Sequence, residues 1–203
     1  MHCTLTENFR IVLMVLVMSM AAGCSTSVTR MDAGEVKDLS GAWNDTDSQQ
    51  VSEEMIKDVL ERPWFSEFSR AQNRQPAVIV GEVNNLSHEH INVNTFVADM
   101  ERALINSGKV QFVASSTERQ EIRDERKDQD IHASEETRKP MGQEKGADFM
   151  LKGTINTIID ASGKTQLRYY QVDLTLISMA DNRKVWIGQK KIKKLVERSN
   201  LKF

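Results

Sequence analysis

The last third of the chain constrains the fold most. Phe149, Leu151, Ile155 and Ile159 share one register, and Tyr170, Val172, Leu174 and Leu176 share another, with Ala161-Ser162-Gly163 between them. A second turn signal, Asp181-Asn182, leads into a third run from Lys184 to about Lys193. Period-two alternation buries one face of a strand and wets the other, and short polar turns between such runs pair them antiparallel. A sheet with one apolar face needs a cover, so the upstream sequence must supply helices.

It does. Asp47-Ser48 caps a helix running to about Glu61, with Val51, Met55, Ile56, Val59 and Leu60 on one face. Pro63 stops it, and Trp64, Phe65 and Phe68 then add large apolar area. Ala77 to Val83 is a nearly continuous apolar run, the pattern of a central strand covered on both faces. Asn94-Thr95 opens a helix with Phe96, Val97, Met100, Ala103 and Leu104 inward, closed by Gly108, and Val110 to Val113 is a short second strand. A charged helix spans about Thr117 to Asp130, and another runs from Ser134 to about Lys145 with a kink or break at Pro140. The order α-β-α-β-α-α-β-β-β predicts a single-domain α/β fold, a mixed sheet of about four to five strands with helices packed on it. No internal repeat is evident.

At 203 residues the chain suits one domain, and its net charge of −2, from 27 basic and 29 acidic side chains, excludes capture of nucleic acid by a bulk positive field. Ile11 to Ala22 carries no charge and follows Arg10. It is shorter than the roughly 20 residues a membrane-spanning helix needs, and has the length of a signal-peptide core. Ala21-Ala22-Gly23-Cys24 follows, resembling a bacterial lipobox in which the cysteine is acylated before cleavage. The expected organisation is a lipoprotein signal peptide over 1–23, a polar tether over 24–47 and a globular domain over 48–203. Cys3 leaves with the signal and Cys24 takes the lipid, so the mature domain has no free thiol for catalysis or disulfides. Ser25 after the cysteine, rather than aspartate, resembles sorting to the outer membrane, with the domain facing the periplasm and several acyl chains giving a firm anchor.

Four strings carry a family resemblance: Leu39-Ser40-Gly41-Ala42-Trp43-Asn44-Asp45-Thr46-Asp47-Ser48, Arg102 through Val110 (RALINSGKV), Gly146-Ala147-Asp148-Phe149-Met150-Leu151, and Lys184-Val185-Trp186-Ile187-Gly188-Gln189. With the lipobox they closely resemble the LpoB-type activators of penicillin-binding proteins, over about Leu39 to Lys194. The resemblance implies a fold like the N-terminal domain of TolB. It also implies a non-catalytic outer-membrane lipoprotein that stimulates a bifunctional peptidoglycan synthase, a penicillin-binding protein of the inner membrane, by direct contact. Better-known members carry a long proline-rich linker, whereas this tether has no proline before Pro63. The alternative is an envelope assembly or secretion lipoprotein of the curli-secretion type.

No catalytic motif stands against that reading: G-x-S-x-G, the P-loop and G-x-G-x-x-G are all missing. Ser199-x-x-Lys202 has the spacing of a penicillin-binding nucleophile but lacks its companion motifs. His88-Glu89-His90 offers two ligands to a metal without a third, and no cofactor is expected. Asn44 to Asp47 reads as helix capping with Trp43 as a staple, rather than as a cation loop. Lys190, Lys191, Lys193 and Lys194 read as guards of an edge strand, with attraction to anionic envelope groups as the alternative. In the charged helix, 100° per residue gathers Arg119, Arg123, Arg126 and Lys127 on one arc, opposite Glu118, Glu121, Asp124, Glu125 and Asp128. That segregation makes Arg119, Arg123, Arg126 and Lys127 the candidate partner-binding residues.

Overall fold

The structure is a computed structural model and describes residues 27–32 and 34–197. The signal peptide, Cys24, Arg198 and Ser199–Lys202 lie outside the described residues. The chain divides into two units at Glu35. In the first, Asp32 closes a turn, its carbonyl accepting from Glu35 N and its carboxylate from Gly34 N. The second, from Val36 onward, is the α/β domain.

Helix α1 is Asp45–Glu61 and α2 is Pro63–Gln72. Strand β1 is Ala77–Asn85, followed by α3 (Val93–Asn106), β2 (Gln111–Phe112) and α4 (Ser116–His132). Three long strands finish the fold: β3 (Phe149–Ser162), β4 (Thr165–Ser178) and β5 (Lys184–Glu197). The five-stranded sheet has the order β2-β1-β3-β4-β5. β1 runs parallel to both β2 and β3, and β3-β4-β5 is an antiparallel meander. The α/β class and the mixed sheet are as the sequence predicts.

The first helix begins earlier than its periodicity suggests. Asn44 is the N-cap, its side chain accepting from Asp47 N while the Asp47 carboxylate accepts from Asn44 N, a reciprocal capping box. Trp43 closes the entry by donating its indole N–H to Ser48 Oγ at 2.8 Å. Pro63 does stop α1, but it also starts α2. Arg62, held extended at φ −81° and ψ 155° by the proline after it, is the joint between the two helices. Trp64 is buried and donates Nε1–H to Val59 O, so α2 stays folded back on α1.

Helices α1 and α3 cover one face of the sheet. Val51, Met55, Ile56 and Val59 from α1 and Phe96, Met100 and Leu104 from α3 meet Val78, Leu151, Ile155, Val172, Leu174, Leu176 and Trp186 in one core. Gly188 makes room for the Trp186 ring, whose Nε1–H reaches Asp58 Oδ2 at 2.7 Å; a Cβ at 188 would collide with that ring and with Met55.

Two expectations are corrected. The second charged helix, Ser134 to Lys145, does not form; that stretch is turns and irregular chain. Pro140 removes a donor and pushes its predecessor out of the helical region, and Gly142 sits at φ +82°, so neither half reaches helical length. The tether also ends sooner than residue 47. Asp38 and Asp47 both pair with Lys194 of β5, at 2.8 and 2.6 Å, and Gly41 O accepts from the Tyr170 hydroxyl. Residues 38–44 are thus a strap fastened across the ends of β4 and β5.

Candidate partner-binding surfaces

The basic arc of α4 faces its own chain. Arg119, Arg123, Arg126 and Gln129 are its half-buried positions, and no side chain of this helix is fully buried. Arg123 forks onto Glu144 with Nε–Oε1 at 2.7 Å and Nη2–Oε2 at 2.8 Å, and Arg126 Nη1 stands 3.9 Å from Oε1. Arg119 Nη1 donates to Ala114 O at 2.7 Å. The Arg123 hydrogen bond, and after it the charges of Arg123, Arg126 and Arg119, hold the Glu144 carboxyl below its ordinary range. Lys127 is turned outward and pairs with Asp124 at 2.9 Å. Three of the four residues expected on a docking face therefore converge on a loop carboxylate, and the fourth does not join them. The outward surface of α4 is acidic: Glu118, Glu121, Asp124, Glu125 and Asp128 are all exposed. The segregation of charge is real, but a guanidinium row opposite a neutralising loop is buried more cheaply than the carboxylates would be.

His88-Glu89-His90 inverts expectation in another way. The glutamate, and not the histidines, is the organising group. Glu89 Oε1 accepts from the Tyr170 hydroxyl at 2.7 Å and from Arg168 Nη1 at 3.0 Å, and Oε2 accepts from Trp43 N at 3.0 Å. Burial and the Glu89 hydrogen bond push the Tyr170 phenol well above its ordinary range. Trp43 stacks edge-on against Tyr170 at 5.5 Å. His88 Nδ1 meets only Thr157 Oγ1, at 3.1 Å. Among the described residues, no three His, Cys, Asp or Glu side chains gather as a metal site. At Lys194, burial works against the charged form, but hydrogen bonds to Asp38 and Asp47 outweigh it and raise the ammonium above its ordinary value.

A groove of about 800 Å³ lies between α2 and the β4–β5 turn, floored by Trp64, Phe68, Phe149 and Val185. Asp148 stands at its rim, taken bidentately by Arg74 at 2.7 Å and accepting Ala77 N–H at 2.7 Å. Arg74 lies 5.0 Å over the Phe68 ring. These contacts hold the start of β1 to the start of β3, which is structural work for the Gly146–Leu151 string.

A further surface is the sheet face turned away from α1 and α3, half-buried along β4 and exposed toward β5. Its rows run across β3, β4 and β5: Lys152, Thr175 and Ile187; Thr154, Asp173 and Gln189; Asn156, Gln171 and Lys191; Ile158, Tyr169 and Lys193; Asp160, Leu167 and Leu195. The middle rows are laced by side-chain hydrogen bonds, Gln171 and Gln189 both donating to Asp173 at 2.7 Å. Ile158 is 65% exposed and Leu195 and Ile187 are each 63% exposed. Isoleucine and leucine thus stand in water on the otherwise polar register of these strands. That parity mismatch is readable in the sequence, although periodicity alone draws attention to the inward register.

The family model described as peptidoglycan-synthase activator LpoB matches residues 47–192. No curated protein matches the chain. Among solved structures, the C-terminal domain of LpoB from Escherichia coli is 15% identical, covers 73% of this chain and 99% of its own, and superposes with a TM-score of 0.45. The same domain from Salmonella enterica is 17% identical over 65% of this chain and 94% of its own, with a TM-score of 0.36. Lipoprotein GNA1162 from Neisseria meningitidis is 12% identical over 62% and 88%, with a TM-score of 0.39. The matched segment takes in α1 and all but the last residues of β5, so the chain belongs to the LpoB family of peptidoglycan-synthase activators.

Proposed function

We propose that this protein binds and stimulates a bifunctional penicillin-binding protein without catalysing a reaction itself, acting from the outer membrane through acyl chains on Cys24. The observation that carries the reading is the match to the activator family over residues 47–192, which takes in most of the sheet and its covering helices. The lipobox at Ala21–Cys24 supports the anchor and the periplasm-facing location. An activator of this kind works by binding the synthase's active conformation more tightly than its resting one. The open face of β3–β5, with Ile158, Ile187 and Leu195 around a hydrogen-bonded polar centre, has the make-up of a docking surface. The α4 arginines are the weaker candidate, because they face their own chain, Arg123 on Glu144 and Arg119 on the Ala114 carbonyl.

The test is glycan-strand synthesis from lipid II by a bifunctional synthase of the same organism, with and without the mature chain. A saturable rate increase that tracks direct binding is the expected result. Binding without stimulation, or neither, removes the activator reading for this chain while leaving its family and fold in place.

A further inference from the structure

The hollow beneath α4 holds more positive charge than its one carboxylate balances. It is an open hollow of about 210 Å³ whose charged lining residues are Arg119, Arg126, Glu144 and Lys145. Glu144 is the only acid in that lining, and Arg123 takes both of its oxygens. Arg119 donates to the Ala114 carbonyl and Lys145 to the Gln111 amide oxygen, with the Asp148 carboxylate near enough to Lys145 to feel its charge. Arg126 Nη1 is buried and donates no hydrogen bond. On the outer side of Arg126, Glu121 and Glu125 line a neighbouring hollow, where Glu125 accepts from Gln129 at 2.9 Å.

A buried guanidinium nitrogen without an acceptor is costly, and bringing several cations together around one carboxylate adds to that cost. A tetrahedral oxyanion relieves both. Guanidinium forks match its oxygens bidentately, and its negative charge offsets part of the excess of cations. We propose that the space between Arg119, Arg126 and Lys145 is a phosphate-binding site, with Glu144 and Arg123 as its fixed wall. The phosphate group is either free phosphate or the phosphodiester of a lipid headgroup, and the same contacts serve both. The site is independent of the synthase-docking face, since the sheet rows that form that face supply none of its lining.

Thermal unfolding of the full chain, titrated with inorganic phosphate at constant ionic strength, tests the proposal. At ten times the dissociation constant, Tm rises saturably by roughly 3–6 °C. Arg126→Gln abolishes that rise, and Arg102→Gln, an exposed cation on α3, leaves it intact. Should Arg126→Gln fail to fold, Lys145→Gln on the surface loop serves in its place and weakens the response several-fold. A parallel titration with glycerophosphoglycerol, the bare headgroup diester, separates the sources: a rise with phosphate alone assigns free phosphate, and a rise with the diester assigns the headgroup. No saturable rise with either, an equal rise with acetate, or an undiminished rise in both Arg126→Gln and Lys145→Gln overturns the site.

Discussion

At the scale of single residues, two polar side chains, Asp148 and the buried Tyr170, tie distant parts of the chain together. Asp148 accepts from a guanidinium and a strand N–H at once, so Asp148→Asn leaves Arg74 without its charge partner and costs about 1–3 kcal/mol. The Arg74 hydrogen bond holds the Asp148 carboxyl below its ordinary range. A carboxylate depressed on folding adds stability above its unfolded pKa, about 3.9, and loses it as the pH falls further toward the folded value. Urea midpoints measured from pH 7 down to 2.5 will therefore fall on the acid side for the native chain, with a shallower fall in Asp148→Asn. Tyr170 gives the opposite limb. Its phenol is raised by burial and by Glu89, so its contribution is complete below about pH 10 and is lost above it. Absorbance at 295 nm will show one of the two tyrosines ionising only as the domain unfolds, and Tyr170→Phe will remove that step. Neither role is visible beforehand: partners more than seventy residues away in sequence set both.

At the scale of elements, α4 differs from every other helix. It has strong local signals, a Ser115–Glu118 capping box among them, and no buried side chain. Its charge pattern was legible because 100° per residue fixes which side chains share an arc. Which arc turns inward was not, because Glu144 sits in a stretch whose composition reads as helix and whose Pro140 and Gly142 deny it. The meander was legible throughout, since one buried face specifies the register of each strand. The reach of β5 beyond Lys193 was not, because two adjacent lysine pairs break the apolar alternation, and Lys190 and Lys194 find their partners, Glu54, Asp38 and Asp47, far away in sequence. Amide exchange follows from this contrast. Protection in α4 will fall well below that in β4, and Arg123→Gln will lower it further in α4 and in residues 141–146 while leaving the urea midpoint of the domain nearly unchanged.

At the scale of the whole molecule, the domain presents a packed side and an open side. Ile158→Lys and Leu195→Lys on the open side will each lower synthase affinity at least tenfold, read by surface binding, with Tm moving by no more than about 2 °C. Loss of Tm, or affinity unchanged in both variants, places the contact elsewhere. The strap of residues 38–44 then has a mechanical consequence. For a chain held by lipid at Cys24, the stretch up to Asp38 spans at most roughly 50 Å, and opening the strap as far as Asn44 adds roughly 20–25 Å more. In a chain so held, tension from the N-terminal side loads the Asp38–Lys194 pair first and the Trp43–Glu89 bond after it. The leash thus carries its own slack, stowed against the sheet as a reserve of length in a molecule without a long proline-rich spacer.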